Sequence, residues 1–302
     1  MALKEISPGG LIKALNDNFG VISGGIAGEV FYVDGNAGSD SNNGKSWASA
    51  FASLSTALAA SHTDIASKPF GWTARNIIYL KDDEVAENLT KLADKTDVVG
   101  VGSFDRWSKP RILGAHTISG TYMGTRFINC YFRSPAAGGD IFTLPTTVSG
   151  LSYIGCTFDG YSTTRATGAI VATLPHSLTI KDCRFYGGYT DAVIEIAGTG
   201  EAPDLFIADN YIHGAEQGID VKSTITSEQF PGWIVRNYIA AATECINEAS
   251  GKIYVHDNRC ITAQAKGSAG AGAIVAGAKM MLGNLISASD VANAYVPAHG
   301  GL

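Results

Sequence analysis

One short pattern of apolar and polar positions returns along the chain: an apolar residue, any residue, a small or polar residue, Cys or Asn, any residue, and another apolar residue. It occurs seven times, and its Cys or Asn positions are 26, 27, 27, 27, 21 and 26 residues apart. A second short apolar segment follows most copies, as in Ala192–Ile196 and Gly218–Val221. A repeat with a period in the twenties is typical of solenoid proteins.

The repeat predicts short strands rather than helices, because Gly, Asn and Asp break the chain every few residues. Strands of three to five residues cannot bury a face alone, so successive copies have to stack on one another. Each turn of chain then lies about 4.8 Å above the last, as in a parallel β-helix. The fourth position of the pattern would form one column along the stack.

The occurrence of Asn in that column has a physical explanation. It tolerates a left-handed backbone at a sharp turn, and its amide can bond to the identical amide one coil away. We therefore predict a structural ladder, in which the cysteines are small buried thiols and the alternative is a redox or metal role. Its members are Cys130, Cys156, Cys183, Asn210, Asn237, Asn258 and Asn284.

Two helices are predicted before the repeats. Over Ser46–Ala60 the residues Trp47, Phe51, Leu54 and Leu58 form one apolar stripe, which predicts a helix that caps the open end of the coils. We assign residues 1–29 to a separate anchor segment that contains a helix of about ten residues. A helix of this length is not stable alone, so it needs a surface to pack on. Its apolar stripe consists of Leu11, Ile12, Leu15 and Phe19. We assign residues 30–302 to the β-helix, with regular coils over about 125–290.

The composition excludes several classes of protein. Only 17% of the residues are charged, the net charge is −6, and no basic run is present, so we expect no nucleic-acid partner. We also expect no membrane span and no conventional secretion, since no apolar run reaches eighteen residues and the start lacks a signal pattern. Five cysteines without a Cys-x-x-Cys pair indicate neither disulfides nor zinc, and no cofactor is expected.

An active site on a β-helix would consist of side chains that point outward and lie in columns across neighbouring coils. Aligning the second segment places Phe142, Val171, Glu195, Asp220, Asn247 and Val275 in one column. Glu195 and Asp220 would then be about 5 Å apart, the spacing of acid and nucleophile in a retaining glycosidase. The alternative is a pair of solvated surface acids, and no catalytic residue is assigned.

Two further columns adjoin the ladder. Arg133, Asp159, Tyr186, His213 and Ala240 follow it, and these side chains suit acid–base chemistry, a charged groove or a subunit contact. Asp182, Asp209, Arg236 and Asp257 precede it, where we expect caps on backbone amides. Tyr211 and Tyr238 should stack on each other.

No metal site is expected, because the acidic loop over 34–44 lacks the final Glu of a calcium loop and the histidines are scattered.

Two segments carry a family resemblance. Phe31–Phe51, with its strand, its Gly/Asp/Asn-rich loop and the helix after it, resembles the opening of pectate-lyase-like right-handed β-helices, and the later repeat looks like the generic one of that fold. The resemblance implies an all-β, single-stranded right-handed parallel β-helix. It does not extend to catalysis, because that family's Asp-rich calcium cluster and Arg-x-Pro-x-x-Arg motif are missing.

Leu11–Phe19 is similar to N-terminal segments of bacteriophage tail and other virion proteins, which implies a homotrimer. We therefore expect a structural protein of a phage particle, assembled in the host cytoplasm and bound to other virion proteins through its N-terminal segment. It would decorate the head or belong to the tail. The alternatives are a polysaccharide-degrading hydrolase or lyase, and an adhesin that binds host-surface polysaccharide through the groove from Arg133 to His213.

Overall fold

A computed structural model shows an all-β parallel solenoid, consistent with a right-handed β-helix, and so confirms the predicted fold class. It describes residues 28–68, 73–81, 84–102, 109–134, 138–160, 165–222, 224–226, 232–262, 274–275 and 280–288. The anchor residues Leu11, Ile12, Leu15 and Phe19 lie outside these ranges. Within them, no helix is long and apolar enough to cross a membrane.

The structure contains one α-helix, α1 (Leu54–Ser67), among the described residues, together with 26 strands. The first thirteen strands are β1 (Val30–Val33), β2 (Asn76–Leu80), β3 (Glu84–Ala86), β4 (Thr96–Gly100), β5 (Arg111–Leu113), β6 (His116–Thr117), β7 (Tyr122–Met123), β8 (Arg126–Ile128), β9 (Tyr131–Arg133), β10 (Phe142–Leu144), β11 (Val148–Ser149), β12 (Ser152–Ile154) and β13 (Thr157–Asp159). The others are β14 (Ile170–Thr173), β15 (Thr179–Lys181), β16 (Arg184–Tyr186), β17 (Tyr189–Ala197), β18 (Phe206–Ala208), β19 (Tyr211–Val221), β20 (Trp233–Val235), β21 (Tyr238–Glu248), β22 (Tyr254–His256), β23 (Arg259–Thr262), β24 (Ile274–Val275), β25 (Met280–Leu282) and β26 (Leu285–Ala288).

Two long parallel sheets form the walls of the solenoid. The first has ten strands in the order β1-β2-β4-β8-β12-β15-β18-β20-β22-β25, so each coil adds one strand. The second has fourteen strands and includes both halves of the repeat, because β19 and β21 each continue from one half into the other. A small two-stranded sheet pairs β7 with β11. All strand pairs among the described residues are parallel, as stacking of equivalent repeat positions requires.

Equivalent core residues of successive coils lie directly above one another. Phe127 stacks on Tyr153 with ring centroids 5.5 Å apart and an interplanar angle of 10°. Phe158 stacks in the same way on Phe132, at 5.1 Å, and on Phe185, at 4.8 Å. All five side chains are fully buried. This repetition explains the apolar positions of the sequence pattern, since one coil's core residue packs against its counterpart in the next.

The capping helix is displaced from its predicted position. Helix α1 begins at Leu54 rather than near residue 46 and ends at Ser67. Phe51 belongs to an extended segment that bridges Val33, and its backbone N–H donates to the carbonyl oxygen of Tyr32 at 2.9 Å. Trp47 lies in a short 3₁₀ turn and is exposed. The stripe was misread because an extended segment that pairs with β1 also buries an apolar side chain.

The first turn of α1 is held by two side chains outside it. The Ser53 hydroxyl accepts the N–H of Thr56, as a helix N-cap does. The Glu87 carboxylate accepts the N–H groups of Leu54 at 2.7 Å and Ser55 at 3.0 Å. A carboxylate at this end of a helix also faces the positive end of the helix dipole. The start of the helix is therefore tied to the coil that follows β3.

His116 is buried in the core and is expected to stay uncharged. Its ring lies 4.6 Å from the ring of Phe142, and its Nδ1 accepts the N–H of Leu89 at 3.1 Å. Its Nε2 is buried without a hydrogen-bond partner among the described residues. Burial lowers the pKa of His116 from 6.5 to about 3. The unfolded chain therefore binds one more proton than the folded chain between these two pH values.

This depressed pKa predicts that the free energy of unfolding falls as the pH is lowered from 6.5 toward 3. His116 alone should contribute a loss of about 2 kcal/mol between pH 7 and pH 5. His116→Asn should remove that contribution, since Asn keeps an acceptor for the Leu89 N–H and does not titrate. Urea unfolding at both pH values measures this, with His176→Asn, at an exposed histidine, as the control. An unchanged pH dependence in His116→Asn would show that the pKa of His116 is not lowered in the folded protein.

Candidate functional site

The sharp turn of each repeat begins with a residue in the left-handed conformation. All seven residues that precede a ladder position have φ between 54° and 65°: Asn129, Gly155, Asp182, Asp209, Arg236, Asp257 and Gly283. We had expected the ladder Asn itself to adopt this conformation, which is wrong by one position. Gly, Asn and Asp tolerate it best, and they account for six of the seven residues.

The expectation that Asp182, Asp209 and Asp257 cap backbone amides is corrected by the same geometry. These residues make the turn through their own backbone, and their carboxylates contact cationic or imidazole side chains. Both oxygens of Asp209 accept hydrogen bonds from the Arg236 guanidinium at 2.7 Å. This ion pair lowers the pKa of Asp209. The column is an exposed row of charges beside the turn.

The four ladder asparagines form a continuous chain of buried amides. The Asn237 Oδ1 accepts both the backbone N–H of Asn210, at 3.0 Å, and its Nδ2, at 2.9 Å. Asn258 accepts from Asn237, and Asn284 from Asn258, in the same two ways. Each Nδ2 also donates to a main-chain carbonyl of the preceding coil, for example that of Ile207 from Asn237 at 3.0 Å. Every amide atom is therefore satisfied away from water.

The cysteines occupy the same column and make an analogous bond. The Cys183 thiol donates to the carbonyl of Tyr153 at 3.4 Å, and the Cys156 thiol to that of Phe127 at 3.3 Å. Cys130 contacts the carbonyl of Val98 at 3.8 Å. All three thiols are buried and free. A thiol thus takes the donor role of the Asn amide where bulky aromatic core residues occupy the neighbouring positions.

Glu195 and Asp220 pair across neighbouring strands, in the register predicted for them. They differ in access, because the Asp220 side chain is 3% exposed whereas that of Glu195 is 21% exposed. The Asp220 carboxylate binds the Lys222 ammonium and accepts the Asn247 amide at 3.0 Å. Lys222 also lies 3.7 Å from Glu195. The Asp220 carboxylate is therefore already bound by other side chains of the protein, and Glu195 is the acid that faces outward.

The column predicted to contain Glu195 and Asp220 has one residue wrongly assigned. Thr143, and not Phe142, is the register partner of Val171, which in turn pairs with Glu195. Phe142 is fully buried in the core. Side chains along a strand alternate between its two faces, so an offset of one residue exchanges inside for outside.

A cleft of about 230 Å³ adjoins Glu195 and brings two other acids to it, Asp140 and Asp191. Burial raises the pKa of Glu195, an effect that Asp220 and Asp191 increase and Lys222 opposes. Burial also raises the pKa of Asp140, and the charge of Asp191 adds to the effect. One oxygen of Asp140, Oδ1, is buried without a hydrogen-bond partner in the described part of the chain.

In the column after the ladder, Asp159 pairs in register with Arg133 and with Tyr186. It is buried, and its carboxylate accepts the Tyr131 hydroxyl. His213, in contrast, is exposed and pairs with Ala240. The two residues therefore differ in solvent exposure, with His213 on the surface and Asp159 buried. Among the described residues, no group of three or more His, Cys, Asp or Glu side chains has metal-binding geometry.

Aromatic side chains line up on two outer faces. Tyr211 and Tyr238 stack as predicted, with centroids 5.0 Å apart and an interplanar angle of 5°. On the other long sheet, Phe206, Trp233 and Tyr254 occupy one register column, which we call the aromatic row. Trp233 stacks on Tyr254 at 4.6 Å and is 39% exposed.

Glu195 was predictable from the sequence, and its acidic neighbours in the cleft were not. Asp140 comes from another coil and lies two residues before β10, whereas Asp191 belongs to β17, the strand that carries Glu195. Neither belongs to a repeated column, so periodicity gives no signal for them. The aromatic row was also missed, although Phe206, Trp233 and Tyr254 each stand immediately before the apolar core residue of a repeat copy.

No family model and no curated protein matches this chain.

The ladder predicts a specific loss of stability. Asn237→Leu removes the acceptor of Asn210 and the donor to Ile207, so we expect the free energy of unfolding to fall by about 1–3 kcal/mol. Asn36→Leu, at an exposed loop position, should change it by a few tenths. Urea unfolding of both variants makes the comparison. Equal small effects would mean that the buried amides contribute nothing net.

Proposed function

We propose that this protein is a structural component of a bacteriophage particle: a β-helical rod that associates as a homotrimer and attaches to the virion as a decoration, accessory or tail protein. It would be a member of the pectate-lyase-like β-helix superfamily, an assignment that rests on the resemblance of Phe31–Phe51 and of the repeat. The phage assignment rests on the similarity of Leu11–Phe19 to N-terminal segments of virion proteins.

The observation that carries the trimer proposal is the aromatic row. Phe206, Trp233 and Tyr254 follow one another on adjacent parallel strands, so the row runs along the stacking direction of the coils. Trp and Tyr are enriched in protein interfaces, where their large flat surfaces pack against a partner. A row parallel to the stack suits association with other copies of the same chain side by side, since the contact extends over several coils.

Rigidity also favours a structural role. The aromatic stacks of Phe127 with Tyr153 and of Phe158 with Phe185 continue from coil to coil, and the amide ladder from Asn210 to Asn284 continues through the coils that follow. Bending the rod would have to open several of these contacts at once. A rod of this kind transmits force along its length and exposes few unpaired strand edges to proteases.

The proposal predicts a trimeric mass by light scattering, both for the full chain and for a chain that begins at Gly28, because the subunit contacts are placed on the coils. Trp233→Ser with Tyr254→Ser should give a monomer. Tyr211→Ser with Tyr238→Ser, a matched pair on the other sheet, should leave the trimer intact. A monomeric full chain, or an equal response of the two double variants, contradicts the proposal.

A second candidate function, cleavage of a polysaccharide, is favoured by the acidic cleft. Glu195 faces this cleft together with Asp140 and Asp191, and its raised pKa suits a general acid. Asp220, the partner expected from the sequence, is occupied by Lys222 and Asn247. We therefore propose that Glu195 would act with Asp140 or Asp191 if the protein is a hydrolase.

Release of reducing ends from a panel of bacterial polysaccharides tests this second candidate. Glu195→Gln should lower the rate at least a hundredfold with an unchanged circular dichroism spectrum, which is the usual scale for loss of a general acid. Glu201→Gln, at an exposed acid away from the cleft, should have no effect. No release by the unmodified protein, or equal rates for Glu195→Gln, would exclude it.

A further inference from the structure

An open groove of about 560 Å³, which we call the end groove, lies beside α1 where β1 is the first strand of its sheet. Helix α1 packs on β1, β2 and β4 through one buried face. The end groove borders a different face of the helix, whose residues recur every three or four positions and so lie in one row. The residues of this row are Thr56, Ala59, Ala60, Thr63 and Ser67.

The lining of the end groove suits a second helix. Ala59 and Thr63 are exposed, and a row of small side chains lets another helix approach closely. Phe31 and Phe51 line the other side, with ring centroids 6.3 Å apart. The Lys45 ammonium lies 3.9 Å from the centroid of the Phe31 ring. The open end of a solenoid needs a cover, and α1 leaves these two rings at the border of the groove.

The chain that precedes β1 joins the solenoid at this groove. Glu29 forms an ion pair with Lys45 at 3.0 Å, and its backbone N–H donates to the Asn76 side chain at 2.7 Å. The Asn76 Nδ2 in turn donates to the Asp64 carboxylate at 2.9 Å. Lys45 and Asp64 both line the end groove. The residues before Gly28 therefore lead directly to it.

The sequence before Gly28 contains a segment of matching length and polarity. The predicted helix over 8–19 has twelve residues and a length of about 18 Å, and the row from Thr56 to Ser67 spans the same number of helical residues. The apolar stripe of the segment would face the two phenylalanine rings. The eight residues between Phe19 and Gly28 reach up to about 30 Å when extended, which is enough for the segment to fold back.

A second apolar groove, of about 450 Å³, borders another part of α1 and is a less suitable place for the segment. It is lined by Ala66 of the helix and by Lys95 and Met123, which belong to later coils. Phe31 of the end groove follows Gly28 by three residues in the same strand region. The end groove is therefore the nearer of the two along the first coil.

We propose that residues 8–19 form a helix that lies in the end groove of their own chain and closes the N-terminal end of the solenoid. Leu15 and Phe19 pack on Phe31 and on the small side chains of α1. This contact goes beyond the proposed attachment to a virion and does not depend on it. A partner protein that binds the segment would have to displace it from the groove first.

Limited proteolysis of the full chain tests the proposal. Trypsin cuts after Lys13, and a helix in the end groove hides this bond, so the cleavage rate depends on the fraction of undocked segments. Ala59→Glu places a charge in the groove at an exposed helix position and should speed cleavage about tenfold or more. Leu15→Ser with Phe19→Ser should do the same. If the unmodified chain is cut as fast as this double variant, the proposal is overturned.

Two sets of control substitutions separate docking in the end groove from a general loosening of the chain. Ala66→Glu, at an exposed alanine of α1 that borders the other groove, should leave the cleavage rate unchanged. Asn16→Ser with Asn18→Ser, outside the apolar stripe, should also leave it unchanged. An equal response to Ala59→Glu and Ala66→Glu would show that the segment does not use the end groove.

Cross-linking distinguishes docking within one chain from docking on a neighbouring copy. Leu15→Cys with Ala59→Cys provides two accessible thiols, since the native cysteines are all buried. A short bismaleimide should join them within a single chain, as denaturing electrophoresis and mass spectrometry can show. Leu15→Cys with Ala66→Cys, the matched control, should give little of this product. Links between two chains, or no link at all, contradict docking on the same chain.

Discussion

The turn between the two long sheets is the constraint on which the structure depends. A residue with left-handed φ reverses the chain, and the next side chain enters the interior, where only a partner from the adjacent coil can satisfy it. Asn210, Asn237 and Asn258 meet this condition through amides. Cys156 and Cys183 meet it with thiols that donate to main-chain carbonyls. A coil shifted along its neighbour by one residue would leave these groups unpaired in the interior.

Because this turn fixes the register, side chains outside the coils also line up. The aromatic row on one sheet and the stack of Tyr211 on Tyr238 on the other follow from the same alignment as the ladder. The acidic cleft adjoins the register shift between Tyr189 and Ala192, where that regularity is interrupted. Repetition therefore builds the rod, and a departure from it accompanies the acidic cleft.

The parts of this fold that repeat were predictable from the sequence, and those that occur once were not. The ladder positions recur with the same chemistry, so Asn237 and its neighbours stand out without a structure. Helix α1 was misplaced because Phe51 is apolar for a different reason, its pairing with β1. Phe142 was offset because the number of residues from the ladder position to this column varies among coils, from 10 between Asn210 and Asp220 to 15 between Cys156 and Val171. Asp140 and Asp191 border one cleft although no sequence period relates them.

Site-resolved hydrogen exchange tests most directly whether the amide ladder holds the coils in register. The backbone N–H groups of Cys183, Asn210, Asn237 and Asn258 each donate to the Oδ1 of an Asn in the next coil. If the ladder is as continuous as the structure shows, these four should exchange together, at the rate of global unfolding. Exchange of any of them at the rate of the surface loop over 34–44, while the core strands stay protected, would contradict the account.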